Sequence, residues 1–377
     1  MLRDLTDDQS RTALPLKWGA VDPGVLPAWV AEMDLRLAEP IEEALVRAIR
    51  GGGAGYPPFG DGGLGAAFAG FARRHWSWDL AEDACVPTGS VMGGIRLALE
   101  ALCPPGPVVV PQPCYPPFRD VVAVTGRELV TVDLDPDADA VTLDLDRVEH
   151  AFEAGARTYL LCNPHNPLGR AWSRGELEEL AALARRYDVR VVADEIHGPL
   201  TLPGATFTPY LTVDERAVVV TSASKSFNMP AVHGAQLVLL DEGDRARARA
   251  LPVPAQNAWS SLGIVAGVAA WSEGDPWLAA LVERLDDQRR LLGEVLAAEL
   301  PEARMRPLEA TYLAWLDLRA YADDPAAAAL AAGVRLGPGP DYQPGLPGHT
   351  RVNLATSPTR LREILQRLVT GLRVSGS

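Results

Sequence analysis

Lysine is almost missing from this chain. Only Lys17 and Lys225 occur among its 35 basic residues, with arginine at every other basic position. An arginine-, alanine- and glycine-heavy composition suggests a GC-rich genome that drifts from Lys to Arg wherever either serves. That explains scarcity, not placement. As solvated charges an amine and a guanidinium are interchangeable, but only the amine loses its proton near neutral pH and forms a Schiff base with an aldehyde. If Lys225 is kept for chemistry, its neighbours have to hold an aldehyde.

Other absences narrow the field. The four cysteines, Cys85, Cys103, Cys114 and Cys162, form no CxxC pair and have no histidine at ligand spacing. That argues against a zinc site or a disulfide framework, and reads them as small apolar fillers. No stretch approaches the roughly 20 uninterrupted apolar residues of a spanning helix, and the opening MLRDLTDDQS lacks the apolar core of a signal peptide. A soluble, cytoplasmic protein is expected. Positive charge is in deficit, 35 basic against 49 acidic residues for a net −14, so neither nucleic acid nor an anionic membrane is an expected partner.

What is present is ample apolar content. With 377 residues, 47% hydrophobic and 22% charged, the chain can bury a sizeable core and divide into two domains. Short apolar, β-branched runs at Gly106 to Pro113, Arg157 to Pro164, Val189 to Ile196, Arg216 to Ser224 and Gly234 to Asp241 read as strands buried on both faces. Between the second and third, Ser173 to Asp188 reads as a helix, with Leu177, Leu180, Ala181 and Leu183 at helical spacing and a Ser173–Glu176 capping box. Strand, helix, strand predicts a largely parallel sheet with crossovers, which binds ligands beyond its carboxyl edge. After about residue 250 the texture changes. A Pro-punctuated stretch, Leu251 to Gly263, leads into a long helical region from Ile264 to about Leu300. Thr311 to Arg319 alternates like a half-buried strand, Gly337 to Gly348 is a loop by composition, and Gly348 to Pro358 is a strand ahead of a closing helix. This is a smaller α+β domain.

Four polar clusters follow predicted strands. CNPHNPLG, Cys162 to Gly169, is a proline-fixed turn presenting Asn163 and Asn166. VVADEIHG places Asp194 at the end of a buried strand, where an ionised carboxylate is costly unless a cation such as a protonated pyridine meets it. SASKSF brings Lys225 with hydroxyls at Ser222, Ser224 and Ser226. PTGSVMGG enters a helix at Gly89, Ser90 and Val91, where backbone N–H groups can hold a phosphate. Each cluster alone has an ordinary reading: a Pro-rich loop, a strand-end Asp paired with Arg, a turn.

Together they resemble something specific. Asn163 to Gly169, then Asp194, then Ser222 with Lys225 are similar in order and spacing to the fold-type I pyridoxal phosphate (PLP) enzymes, the aspartate aminotransferase superfamily. LPAWVAEMD, DEIHGPL, SASKSFNMPAVHGA, WSEGDPWL and TYLAWLDLR narrow the resemblance to its cystathionine β-lyase branch, of which the MalY and PatB proteins are typical. The resemblance implies an α/β large domain with a mostly parallel, seven-stranded-type sheet flanked by helices, over residues 41–250. It adds an N-terminal arm, 1–40, that contributes to the small domain and substrate cleft, and the smaller α+β domain, 251–377. It implies that Lys225 bonds the PLP aldehyde and moves the α-proton, Asp194 pairs with the pyridinium nitrogen, Asn166 meets the ring hydroxyl and Tyr115 stacks on the ring. Ser90, Val91, Ser222 and Ser224 would hold the phosphate. Tyr56, in GGGAGYPPFG, would reach the cofactor of a second subunit, making a homodimer. Arg351 would grip the substrate α-carboxylate bidentately, with Asn163 and Trp29 among the substrate-binding residues and Trp18 and Trp315 lining the cleft.

The chain also departs from that pattern. His197 stands where many aminotransferases have a tyrosine on the ring hydroxyl, and it is expected to be cofactor-binding. His233 stands where they carry an arginine, and Glu32 where this branch commonly has an aspartate. The activity implied is β-elimination from L-cystathionine or another cysteine S-conjugate, giving thiol, pyruvate and ammonia. The aminotransferase reaction, a biosynthetic enzyme acting on a larger conjugate, and a non-catalytic PLP or amino-acid sensor stay open at this point.

Overall fold

The computed structural model describes residues 2–135, 141–252, 255–256 and 259–375. Val253, Pro254, Asn257 and Ala258 of the Pro-punctuated stretch lie outside the described residues. The chain opens with a helix, Asp7–Ala13, and a two-residue strand, β1 (Leu26–Pro27). Seven strands follow: β2 (Cys85–Thr88), β3 (Val108–Gln112), β4 (Leu129–Asp133), β5 (Thr158–Cys162), β6 (Arg190–Asp194), β7 (Val218–Thr221) and β8 (Ala235–Val238). They form one mixed sheet in the order β2-β8-β7-β6-β5-β3-β4. The β4-β3-β5-β6-β7 block is parallel, and β8 is antiparallel to both β7 and β2.

The apolar runs explain why this sheet is buried. Along β3, β5, β6 and β7, alternate side chains enter two cores on opposite faces: Val109, Leu161, Ala193 and Val219 in one, Val110, Leu160, Val192 and Val220 in the other. The Arg174–Arg186 helix joins β5 to β6 with the capping box the sequence predicts, Ser173 Oγ accepting from the Glu176 N–H and the Glu176 carboxylate accepting from the Ser173 N–H.

A four-stranded sheet follows in the chain. Its strands are β9 (Arg304–Met305), β10 (Leu313–Asp317), β12 (Gly337–Pro338) and β13 (His349–Asn353), in the order β12-β13-β10-β9; β11 (Val334–Arg335) pairs in parallel with β1. Three expectations are corrected here. The long helical region is two helices, Ser261–Glu273 and Asp275–Glu299, broken at Gly274, where an added Cβ would lie 2.3 Å from the Phe227 ring. Strand β10 is not half-buried: Leu313 to Leu316 are all buried, because β13 pairs along its whole length and the side chains on both its faces pack into the main apolar core. The glycine- and proline-rich segment from Gly337 is not wholly loop, since β12 pairs with β13 and a one-turn helix, Gly339–Tyr342, follows it.

Candidate active site

The order of the sheet decides where the predicted residues meet. From β3 the chain moves to β4 on one flank, whereas β5, β6 and β7 are laid down on the other. The strand order therefore reverses between β3 and β5, the point at whose carboxyl edge sheets of this kind bind ligands. Tyr115 follows β3, Asn166 follows β5, Asp194 ends β6, and Ser222 and Lys225 follow β7. His165 Nε2 lies 2.8 Å from the Pro113 carbonyl and ties the first two loops together. Cys162 is more than a filler: its thiol donates to the Pro164 carbonyl and accepts from the Asn166 N–H, fixing the turn that carries Asn166.

Arg351, on β13, completes the cluster from the other sheet. Its guanidinium donates to Asn166 Oδ1 at 3.0 Å and to the Trp29 carbonyl at 2.8 Å, and it stacks 4.8 Å above the Tyr342 ring. Its Nε is buried without a partner. Trp315 packs against Tyr342 and His349 and so backs this arginine rather than lining open space.

The electrostatics show how tightly the groups share one field. Burial pulls the Lys225 amine down to about 8, Arg351 adds to this, and Glu32 and Asp194 oppose it. Burial also pushes the Asp194 carboxyl up to about 7, against the Ile196 N–H and the charge of Lys225. His197 is driven down to about 3 by burial, then by Lys225 and Arg351, so it is a neutral ring at physiological pH. The Tyr115 phenol is raised by burial and by Asp194. Among the described residues the one hydrogen bond to the Asp194 carboxylate comes from the Ile196 N–H, at 3.0 Å. An amine kept partly neutral and a buried carboxylate with no cation in contact fit a pyridine ring carrying an aldehyde and a protonated nitrogen.

Not every predicted residue joins this cluster. The Asn163 amide donates to the Thr208 carbonyl at 3.0 Å and to Glu195 at 3.4 Å, and the residue is fully buried. It braces the loop after β5 instead of facing the cleft. The Trp29 ring is held by the Lys17 carbonyl and by Arg335, 3.9 Å from its centroid, and this residue reaches Arg351 through its own carbonyl. Trp18 is core, bonded to Asp34 at 2.7 Å. Ser90 caps the helix beginning at Val91 by accepting from the Gly93 N–H. Ser222 donates to the Gly234 carbonyl and accepts from the Ser224 N–H. Tyr56 is fully exposed.

The sequence reading missed what lies across Lys225. Residues 29–35 run past Lys225 as an irregular, bent strap whose carbonyls are held one by one. Lys225 Nζ donates to the Ala31 carbonyl at 2.9 Å, and the Tyr312 hydroxyl donates to the same oxygen at 3.0 Å. Asn353 donates to the Val30 and Glu32 carbonyls, both at 2.7 Å. Asn228 accepts from the Met33 N–H and donates to the Met33 and Leu35 carbonyls. The only signal for this in the sequence was that Asn228 lies three residues from Lys225, within SASKSFNMP.

Two buried carboxylates predict a pH dependence. Asp194 and its neighbour Glu195, pushed by burial to about 7 and about 8, bind protons more tightly folded than unfolded, so stability falls as pH rises through those values. His165 and His197, lowered by burial to about 4 and about 3, act oppositely, but only below their unfolded value near 6.5. Between about pH 6.5 and 7.5 the two carboxylates dominate, because above that the Lys225 amine, lowered by burial to about 8, acts oppositely. The melting temperature of the cofactor-free chain is expected to fall across that window in a thermal scan, and to fall less with PLP bound, because a pyridinium keeps Asp194 ionised. A flat profile without cofactor would contradict the assignment.

Comparison with known proteins follows the same lines. Residues 22–368 match the family described as aminotransferase class I and II. The chain is 33% identical over 367 residues to the cystathionine beta-lyase of Corynebacterium glutamicum, covering 95% of this chain and 96% of that one. It is 33% identical over 358 residues to the cystathionine beta-lyase PatB of Bacillus subtilis (strain 168), covering 92% of each. The solved PLP-bound C-S lyase from Staphylococcus hominis matches it with a TM-score of 0.85 at 26% identity, over 92% of this chain and 91% of that one.

Proposed function

The chain belongs to the aminotransferase class I and II family, and from that membership and the Lys225 cleft we infer a PLP-dependent carbon–sulfur β-lyase. Its substrate is L-cystathionine or a related L-cysteine S-conjugate, and its products are a thiol, pyruvate and ammonia. The observation that carries this reading is likeness to cystathionine β-lyases over more than nine-tenths of both chains. The cleft supports it with a nucleophilic amine, a buried carboxylate awaiting a cation and an arginine with a spare buried donor.

When bound, PLP supplies an electron sink that acidifies the substrate Cα–H and favours loss of the Cβ substituent. The chain's residues do the rest. Lys225 would hold the cofactor through its aldehyde carbon, and its free amine would take the proton from the substrate Cα. Asp194 would keep the pyridine nitrogen protonated. Asn166 and the neutral His197 would serve the ring hydroxyl, and Tyr115 would lie on the ring face. Ser90, Val91, Ser222 and Ser224 would hold the phosphate. The substrate carboxylate takes the spare Arg351 Nε with one terminal nitrogen, a bidentate grip that orients Cα. The Cβ substituent would leave as a thiolate and take the proton that Lys225 removed, and the released enamine would take up water to give pyruvate and ammonia.

We assign the arm to 1–40, the cofactor domain to 41–250 and the small domain to 251–377. The seven-stranded sheet, which lies within the second, and the four-stranded sheet, within the third, support that division. A homodimer suits the exposed Tyr56 and Phe59, with Tyr56 completing a second copy's phosphate site. Four free thiols suit the reducing cytoplasm.

The test is to give the purified yellow protein L-cystathionine, then a panel of cysteine S-conjugates, without a keto-acid acceptor. Pyruvate and free thiol in equal amounts over many turnovers are expected. Bleaching of the yellow band, reversed by added keto acid and without pyruvate, would make the chain an aminotransferase.

A further inference from the structure

The second lysine of this chain is buried. Lys17 is 1% exposed and Asp34, its partner, is fully buried. Its ammonium lies 2.9 Å from Asp34 Oδ1 and 3.0 Å from the Glu32 carbonyl. Asp34 Oδ1 also accepts from Trp18 Nε1, and Arg360 approaches Asp34 Oδ2 at 3.3 Å. Burial opposes the charge on Asp34, yet Lys17, with the Trp18 and Thr356 hydrogen bonds, holds its carboxyl below the usual range. The pair is therefore ionised in a dry pocket, where loss of either partner strands a charge.

Its place matters more than its strength. Lys17 grips the strap on both sides of Met33, at Glu32 and at Asp34, and the next carbonyl along, Ala31, receives Lys225. Both lysines of the chain thus act on adjacent carbonyls of one segment. A compact ammonium fits between two acceptors in a closed pocket. A planar guanidinium needs room for a fork, and Arg360 already takes the other carboxylate oxygen while stacking 4.9 Å from the Trp18 ring.

We propose that Lys17 is a positioning residue for the reaction at Lys225: anchored on Asp34, it fixes the Ala31 carbonyl against the reactive amine and keeps the strap closed over it. The proposal rests on Lys225 being the aldehyde-bonding lysine. The groups facing Lys225 are Asp194, Glu32, Arg351 and His197; those facing Lys17 are Asp34, Arg360 and Glu32. Burial is the largest influence on the Lys225 amine, so a displaced strap rehydrates it and moves its proton affinity up toward that of ordinary lysine.

The test uses the full-length chain freed of cofactor, as wild type, Lys17→Arg, and Lys17→Met with Asp34→Asn, which removes both charges together. Each is given PLP across pH, and growth of the visible band is followed. The neutral amine adds to the aldehyde carbon and water leaves, so the pH midpoint of the rate reports the amine. A wild-type midpoint near 8 is expected. Lys17→Arg should melt within a few degrees of wild type, with its midpoint raised by about one unit and kcat of the holoenzyme reduced about tenfold while KM changes less. The double variant should shift the same way, and it carries the test should Lys17→Arg fail to fold. A folded variant whose midpoint and kcat both stay within about twofold of wild type would reduce Lys17 to a structural ion pair and overturn the proposal. Should wild type form no band, or Lys225→Ala form the same one, the assignment of Lys225 falls and takes this proposal with it.

Discussion

Lys225→Ala is expected to leave a folded, colourless protein whose turnover of cysteine conjugates falls by at least about 10³-fold, and Lys225→Arg is expected to do no better. The second result is the more telling. A guanidinium would preserve the positive charge that Asp194 and Glu32 now face, and it could still donate to the Ala31 carbonyl. If Lys225 mattered as a cation or as a brace for the strap, arginine would rescue it. If it matters as a nucleophile and a base, arginine fails on both counts, because it does not shed its proton in a protein. Lysine does so here because burial and Arg351 bring its amine to about 8, leaving a usable neutral fraction near neutral pH. Absorbance of the purified variants, circular dichroism to confirm folding and a pyruvate assay decide the matter. A yellow Lys225→Ala protein would assign the covalent bond elsewhere, and an active Lys225→Arg would remove the proton-transfer role.

The chain shows which parts of such a site a sequence displays. Residues that follow a strand in a parallel sheet are legible, because the sheet itself carries them to one edge. Tyr115, Asn166, Asp194 and Lys225 lie far apart in sequence, yet each is placed by the end of its own strand, and the continuous apolar runs announce those strands. The Ser173–Glu176 capping box was readable for a similar reason, since both its hydrogen bonds close within three residues. What stayed hidden depends on contacts across the chain. The strap of residues 29–35 has no periodicity of its own. It is held by Asn228, Tyr312, Arg351 and Asn353 from other elements, none of which local pattern could pair with it. Strand β10 looked half-buried because Thr311, Trp315 and Asp317 interrupt its apolar residues, but Trp315 is itself packed inside. Asn163 and Asn166 looked equivalent in CNPHNPLG, and the fold sends one toward Thr208 and the other toward Arg351.

The carboxylate opposite the amine gives the second large effect. Asp194→Asn is expected to retain PLP and its colour, because Lys225 and the phosphate-binding groups are untouched, while kcat falls on the order of 10²–10³-fold. The substitution is nearly isosteric, and the amide can still accept from the Ile196 N–H as Asp194 Oδ1 does at 3.0 Å. It cannot hold a proton on a pyridine nitrogen by charge, which is what makes the ring draw electrons from the substrate Cα. Stability should move the other way. Asp194 is 4% exposed and burial resists its ionisation, so the cofactor-free chain near pH 8 carries a penalty that asparagine removes. Cofactor-free Asp194→Asn should therefore melt above cofactor-free wild type at about pH 8, with the gap narrowing as pH falls and closing only below the unfolded value of about 3.9, where Asp194 is protonated in the folded and the unfolded chain alike. A carboxylate present only for folding would give the reverse, a lower melting temperature with kcat intact. Glu195→Gln is the control: it changes the adjacent buried carboxylate, which faces Tyr210 and Asn163, and is expected to alter stability while leaving kcat within about threefold of wild type. On this assignment the charge at Asp194 would be compensated when the cofactor is in place, and the same charge would drive the reaction.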